Sequence, residues 1–220
     1  MTTAIDYTST GEIASYVPSL SSDPSTVTAT VLGLLITRQS RVVDNITRRR
    51  FYTSTGDETV KLAGNGRSAL YSLPYDIVSV TTLKLAQDTL KATSGTYTTI
   101  STGDYYLMPT VPQNGWPYQW LELTNIPSGD YSTSFSYTTF PEGYNTVQII
   151  GKFGWNATGS SAVPDEIRHV ATALTVRAWR GRDMNYSDVV GVEGLGTATF
   201  SRRIPSDLQD ILDRYTRQKV

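Results

Sequence analysis

Apolar residues recur with a helical period at both ends of this 220-residue chain and lose that period between Phe51 and Trp155. Neither end holds enough helix to close a core alone, so the two must pack together around whatever lies between them. Asp23-Pro24 reads as a helix start, an N-cap acceptor followed by proline at the first helical position. Val27, Val31, Leu34, Leu35, Val42 and Ile46 follow at three- and four-residue steps to about Arg49. Thr28, Thr30 and Thr37 are weak helix formers, so packing has to support this helix. A shorter helix is expected ahead of it from Thr10 to Tyr16, capped by Thr10 and stopped near Pro18. Beyond Trp155, Val163-Pro164-Asp165-Glu166 places proline and two acids in a first turn, where the helix dipole favours them. Ile167, Val170, Ala171, Leu174 and Ala178 form the stripe of that helix, with Trp179 at its edge and Arg177, Arg180 and Arg182 near its C-terminal end. A glycine-rich connection, Gly191 to Gly196, leads through a short strand (Thr197 to Ser201) to a last helix starting at Pro205. That helix carries Leu208, Ile211, Leu212 and Tyr215 and runs into the basic tail Arg214 to Lys219.

The middle has a different texture. Turn signals at Gly64-Asn65-Gly66, Ser94-Gly95, Thr102-Gly103-Asp104, Asn114-Gly115 and Ser128-Gly129-Asp130 separate short β-rich runs. The best strands are Ile77 to Leu85, Tyr97 to Ile100, Tyr105 to Met108, Tyr118 to Leu123 and Asn145 to Phe153. Charge divides the same way: 1–50 and 156–220 each carry one more basic than acidic group, whereas 51–155 carries five basic and eight acidic. The expected fold is therefore α+β: a discontinuous helical bundle from 1–50 and 156–220, with an antiparallel β domain, a sandwich or small barrel, inserted as 51–155. Phe51 and Trp155 should then lie close together, as the two ends of one insertion.

Composition removes several functions. With no cysteine there is no disulfide scaffold, thiol nucleophile or cysteine zinc site, and the single histidine, His169, makes a histidine metal centre implausible. A net charge of −1 argues against a dedicated nucleic-acid binder, which normally carries a basic surplus. The longest apolar run, Val31 to Ile36, is broken by Gly33 and falls far short of a membrane span of about 20 residues. No secretory signal is visible at the N-terminus.

The motifs that resemble chemical sites fail on spacing. His169 has no nucleophile elbow to serve and reads as a structural or surface residue. Gly191-Val192-Glu193-Gly194-Leu195-Gly196 lacks both the dinucleotide spacing and the Lys-Ser/Thr of a phosphate loop, leaving a flexible or partner-ordered loop. Gly64-Asn65-Gly66 reads as a hairpin turn. The carboxylates are scattered mostly through turns, which leaves a hydrolase a distant third reading. Trp116, Tyr118, Trp120, Tyr105 and Tyr106 could form an aromatic platform for a sugar, and a carbohydrate-binding β-sandwich is the alternative reading of the chain. Arg48-Arg49-Arg50 could be the positive last turn of a helix, a phosphate contact or an anchor for a partner's acids; such a triplet usually marks a solvated helix end.

One arrangement is more specific. Gly151-Lys152-Phe153-Gly154-Trp155 is followed, after a polar loop, by Val163-Pro164-Asp165-Glu166-Ile167-Arg168-His169-Val170-Ala171. Arg177 to Asp183, Gly194-Leu195-Gly196 and Ile204-Pro205 with Leu208, Ile211, Leu212 and Tyr215 complete the series. In this order the chain resembles the head–tail connector (adaptor, or head-completion) proteins of long-tailed bacteriophages; the middle is larger than in the smallest of them. The resemblance implies a virion structural protein made in the host cytoplasm, with no catalytic residue, cofactor, metal or membrane partner. It implies a homo-oligomeric ring, commonly a dodecamer, between the portal and the next neck or tail-terminator protein, with DNA passing through the lumen without specific binding. The C-terminal segment from Ile204 to Val220 would engage the portal, through Leu208, Ile211, Leu212 and Tyr215 as apolar anchors and Arg214, Arg217 and Lys219 as charges. Val27, Val31, Leu34, Leu35, Ile167, Val170 and Leu174 would form the helical core.

Overall fold

Hydroxyl side chains decide which face of the long N-terminal helix is buried. The computed structural model describes residues 5–17, 26–86, 97–112, 116–124, 138–155, 163–183, 189–192, 196–199 and 203–217. Helix α1 (Thr10–Tyr16) is capped by Ser9 rather than Thr10, its hydroxyl accepting from the Glu12 backbone N–H at 3.2 Å. Helix α2 (Thr26–Thr47) buries Leu32, Leu35, Ile36, Ser40, Val43 and Thr47. This stripe is rotated by about one residue from the one that apolarity alone selects. Ser40 Oγ donates to the Ile36 carbonyl at 2.9 Å and Thr47 Oγ1 to the Val43 carbonyl at 2.8 Å, so both hydroxyls enter the core with their donors satisfied. Leu34, expected in the core, is 67% exposed as a result, and Val31 is only half-buried against the cluster. The side chain of Val27 lies outside the described residues. Leu35, Ile167, Val170 and Leu174 are buried.

Residues Ile5 to Thr8 strap this helix. The Tyr7 N–H donates to Ser40 Oγ at 3.0 Å, Thr37 Oγ1 to Asp6 at 2.9 Å, and Arg41 to the Ile5 carbonyl at 2.7 Å, while the Tyr7 hydroxyl bonds Asp44. Helix α3 (Asp165–Asp183) opens with Asp165 and Glu166; Pro164 stands at its cap, its carbonyl accepting from Arg168 at 2.9 Å. Thr172 Oγ1 donates to Thr8 Oγ1 at 2.8 Å, tying α3 to the strap. Helix α4 (Ser206–Tyr215) packs on both α2 and α3. Ile13, Val17, Leu32, Leu35, Ile36 and Trp179 form one buried cluster.

Among the described residues there are nine strands, numbered in chain order: β1 (Glu58–Gly64), β2 (Ala69–Leu70), β3 (Ile77–Ala86), β4 (Tyr97–Ile100), β5 (Tyr105–Met108), β6 (Trp120–Leu123), β7 (Gly143–Phe153), β8 (Val189–Val192) and β9 (Gly196–Thr199). Every ladder between them is antiparallel, in sheets ordered β1-β7-β3-β4, β2-β6-β5 and β8-β9. The first two sheets share one core, with Leu83, Leu85, Val147, Ile149 and Phe153 from one and Leu70, Tyr105, Leu121 and Leu123 from the other. An antiparallel bridge also joins them, the Ile77 N–H donating to the Tyr118 carbonyl at 2.8 Å and the Tyr118 N–H to the Ile77 carbonyl at 3.0 Å. β3 slips register twice against β7, once between Ile77 and Ser79 and again between Val80 and Thr82, as β-bulges do. Gly151 lies opposite the second slip, where a Cβ would fall 2.2 Å from the Ser79 carbonyl oxygen, so only glycine lets the strands approach. Strand β1 was not among the expected strands; as a sheet edge it alternates half-buried with exposed residues and needs little apolar content.

The fold is thus α+β, with helices at both ends flanking antiparallel sheets. The chain forms two compact units, one of Arg50–Ala162 and the other of Thr3–Arg49 with Val163–Gln218. The rotated helix face yields a direct test. Ile36→Ala should cost about 2–5 kcal/mol in urea unfolding, and Leu34→Ala no more than about 0.5 kcal/mol.

Candidate interaction surfaces

The arginine triplet is not a solvated helix end. Arg48 takes φ +55°, a left-handed conformation that ends α2, and its side chain is exposed. Arg49 and Arg50 are buried, and each is held inside a different unit. Arg49 Nε donates to the Tyr215 carbonyl at 2.7 Å, next to the point where the Arg217 N–H donates to the Thr47 carbonyl at 2.9 Å. Both bonds satisfy carbonyls at helix ends that have no partner within the helix. Arg50 pairs with Glu58 at 3.0 Å, donates to the Phe153 carbonyl at 2.7 Å, and lies 5.1 and 4.4 Å from the Tyr52 and Tyr75 ring centroids. A guanidinium is the one cation whose planar fork serves a carboxylate, a carbonyl and two rings at once.

Around Arg50 the two ends of the β unit are laced together. The Ser54 N–H donates to the Phe153 carbonyl at 3.2 Å and the Phe153 N–H to Ser54 Oγ at 3.2 Å. Thr53 Oγ1 donates to the Trp155 carbonyl at 2.6 Å. The Phe51 and Trp155 rings stand 5.2 Å apart, the proximity expected of them. Gly154 has φ +120°, and a Cβ there would meet the Tyr52 carbonyl oxygen at 1.9 Å, which explains the glycine between Phe153 and Trp155.

The C-terminal helix spends its best apolar residues on its own chain. Leu208 and Leu212, expected as partner anchors, are buried where α4 packs on α2 and α3. Ile211 and Tyr215 are half-buried, Arg214 reaches Glu166 at 3.4 Å, and Lys219 lies outside the described residues. The Tyr215 pKa is pushed up to about 12, first by burial and then by its hydrogen bond to Glu166 and that carboxylate's charge, against a lowering by Arg214. The outer face of α4 carries Asp207, Asp210 and Asp213, all exposed.

The aromatic residues proposed as a sugar platform are dispersed. Tyr105 is buried, with a pKa raised by desolvation, Tyr118 packs on the core cluster and Trp116 meets Trp155 edge-on at 4.9 Å. Trp120 is half-buried against Tyr71, their centroids 5.5 Å apart, and only Tyr106 of the five is largely exposed. Gly64-Asn65-Gly66 turns a corner between β1 and β2, which belong to different sheets, so it is not a hairpin turn. The Gly191 to Gly196 stretch is more regular than expected: Gly191-Val192 and Gly196 are paired residues of the β8–β9 hairpin, whose tip, 193–195, lies outside the described residues. His169 is exposed on α3. Among the described residues no group of His, Asp and Glu is arranged to hold a metal, and no helix is long and apolar enough to cross a membrane.

No protein-family model and no curated protein matches this chain. Its fold is that of chains in the necks of gene transfer agent (GTA) particles. One, from the neck of an empty particle with C6 symmetry, has a TM-score of 0.54 at 13% identity, covering 96% of this chain and 89% of that one. Another, from the neck of a native particle with C12 symmetry, has a TM-score of 0.53 at 15% identity, covering 100% and 97%.

Two outcomes follow from these contacts. Replacing Arg50 by Ala removes the ion pair to the half-buried Glu58 and one of the two donors to the Phe153 carbonyl, and should cost about 1–3 kcal/mol in chemical unfolding. Tyr215 keeps its proton in the folded state to about pH 12, whereas an unfolded tyrosine releases it near 10. Its contribution to stability is therefore fully present below pH 10 and lost as pH rises through about 12. Glu166→Gln should lower that transition, read as tyrosinate absorbance against a Tyr215→Phe control.

Proposed function

We propose that this chain is a head–tail neck protein of a phage-like particle, acting by assembly and without catalysis. The observation that carries this reading is the span of the likeness: two neck chains share the fold over nearly their whole lengths and nearly all of this one. An incidental resemblance of one sandwich or one helix pair would cover a part only. The C12 symmetry of one of those necks agrees with a dodecameric ring, and the ring would sit between the portal and the next neck or tail-terminator protein. DNA would pass through its lumen, and a net charge of −1 suits a channel that must not grip phosphates tightly.

Burial of Leu208 and Leu212 changes how the portal would be engaged. The helix is fixed to its own unit, so the docking elements are the half-exposed Ile211 and Tyr215, the cation Arg214, and the segment beyond Thr216 with Arg217 and Lys219. Truncation after Thr216 removes the last two charges and spares the helix. The truncated protein should fold with unchanged helical circular dichroism and leave DNA-filled heads without tails in electron micrographs. Normal tailed particles would overturn the C-terminal docking, and absence of the full chain from purified necks would overturn the neck assignment itself.

A further inference from the structure

The two main sheets of the β unit turn unlike faces outward. Leu83, Leu85, Val147 and Ile149 point into the shared core from one sheet, so their strand neighbours Lys84 and Gln148 point out of it. Register then sets Lys61, Gln148, Lys84 and Thr99 in one row across β1, β7, β3 and β4. Lys152 lies further along β7 on the same side. A polar outer face is ordinary for an antiparallel sheet, but here all three charges have one sign. Among the described residues, none of these lysines has an ion pair or a side-chain hydrogen bond.

The other sheet presents what a solvated face normally lacks. Leu70, Tyr105, Leu121 and Leu123 point into the core, which leaves Tyr106, Met108, Trp120 and Glu122 outside, with Tyr71 just past β2. Register places Tyr106 beside Glu122 and Met108 beside Trp120, and the Tyr71 ring meets that of Trp120 at 5.5 Å. Tyr106 is 57% exposed and Tyr71 37%. Glu122 is half-buried in this surface, and among the described residues its carboxylate has no ion pair or hydrogen bond. Arg67 stands before β2, at the corner where Glu142 approaches Gly66.

We infer that the aromatic face around Glu122 is covered by the lysine face of a second copy of this chain. Both faces point away from one shared core, so a single chain cannot join them within itself. Their spacing matches. Lys61 and Lys84 flank Gln148 two strand spacings apart, about 10 Å, and β2 and β5 flank Glu122 at the same interval. Lysine stems lie along tyrosine and tryptophan rings while their ammonium groups meet π faces and the carboxylate. Two lysine faces about a two-fold axis would oppose like charges, and two aromatic faces would bury two carboxylates without a cation. The heterologous contact avoids both and leaves each copy with one free face of each kind, so its repetition forms a ring when the rotation closes. This inference rests on the ring reading above and names the surfaces that would build the ring.

With no cysteine in the chain, single thiols can report the contact. Thr99→Cys marks the lysine face and Met108→Cys the aromatic one. Oxidised in concentrated protein and on assembled necks, a mixture of the two variants should give a cross-linked dimer, and neither variant alone should. Lys84→Glu and Glu122→Lys should each weaken self-association about tenfold in light scattering, and both exchanges in one chain should restore it. Tyr106→Ala should weaken it too, with circular dichroism unchanged. A self-dimer of either thiol variant would mean a two-fold contact and overturn the inference. So would self-association that none of these exchanges alters, including the case where Lys84 serves duplex DNA or Tyr106 an oligosaccharide instead. Absence of the mixed dimer from necks that contain the chain would also overturn it and leave the neck assignment standing. Absence of the chain from the necks would remove that assignment, and with it the ring that the contact builds.

Discussion

Two adjacent arginines are each held inside a different unit, and the closure of both units depends on that division. Arg49 closes the ends of α2 and α4 by reaching the Tyr215 carbonyl, 166 residues away in sequence. Arg50 closes the β unit by reaching Glu58, the Phe153 carbonyl and two tyrosine rings. Between them runs one peptide bond, just after Arg48 has turned the chain out of helix. A buried guanidinium is costly unless its donors find acceptors, and each of these two reaches a carbonyl that also needs a donor: a helix-terminal one for Arg49 and a strand-terminal one for Arg50, whose Nε stays buried without a partner.

The helical unit shows how burial follows hydrogen-bond accounting more than apolarity. Ser40, Thr47 and Thr175 all enter the core with their hydroxyls bonded to carbonyls four residues earlier, and Ser40 also accepts from the Tyr7 N–H. Once these residues are inside, Leu34 must be outside, because both cannot share one helical face. An exposed leucine is therefore a by-product of buried hydroxyls.

Local pattern was legible and long-range partnership was not. Tyr97–Ile100 and Tyr105–Met108 were readable to the residue, because aromatic and β-branched runs bounded by Ser-Thr-Gly turns have no competing structure. β1 was missed because Glu58 and Lys61 dilute its apolar signal, which an edge strand tolerates. The face of α2 was misread by one residue, since Ser40 and Thr47 look polar until their carbonyl acceptors are known. Arg49 and Arg50 looked solvated because their partners lie 166 and 103 residues distant. Of the surfaces named from sequence, the aromatic set is divided, with Tyr105 buried, Tyr118 packed on the core and Tyr106 exposed, and Leu208 and Leu212 are buried where α4 packs on α2 and α3.

The lacing of Phe51–Ser54 to Phe153–Trp155 has a mechanical consequence. Tension applied between the two points where the chain leaves and re-enters the helical unit falls first on this clasp: two backbone–side-chain bonds at Phe153 and Trp155, the backbone bond from Ser54, and the Arg50 guanidinium. The ladders of β3 and β7 lie inside the loop that the clasp closes, so they carry no load until it parts. The β unit is strain-relieved in the manner of a cable held at its gland.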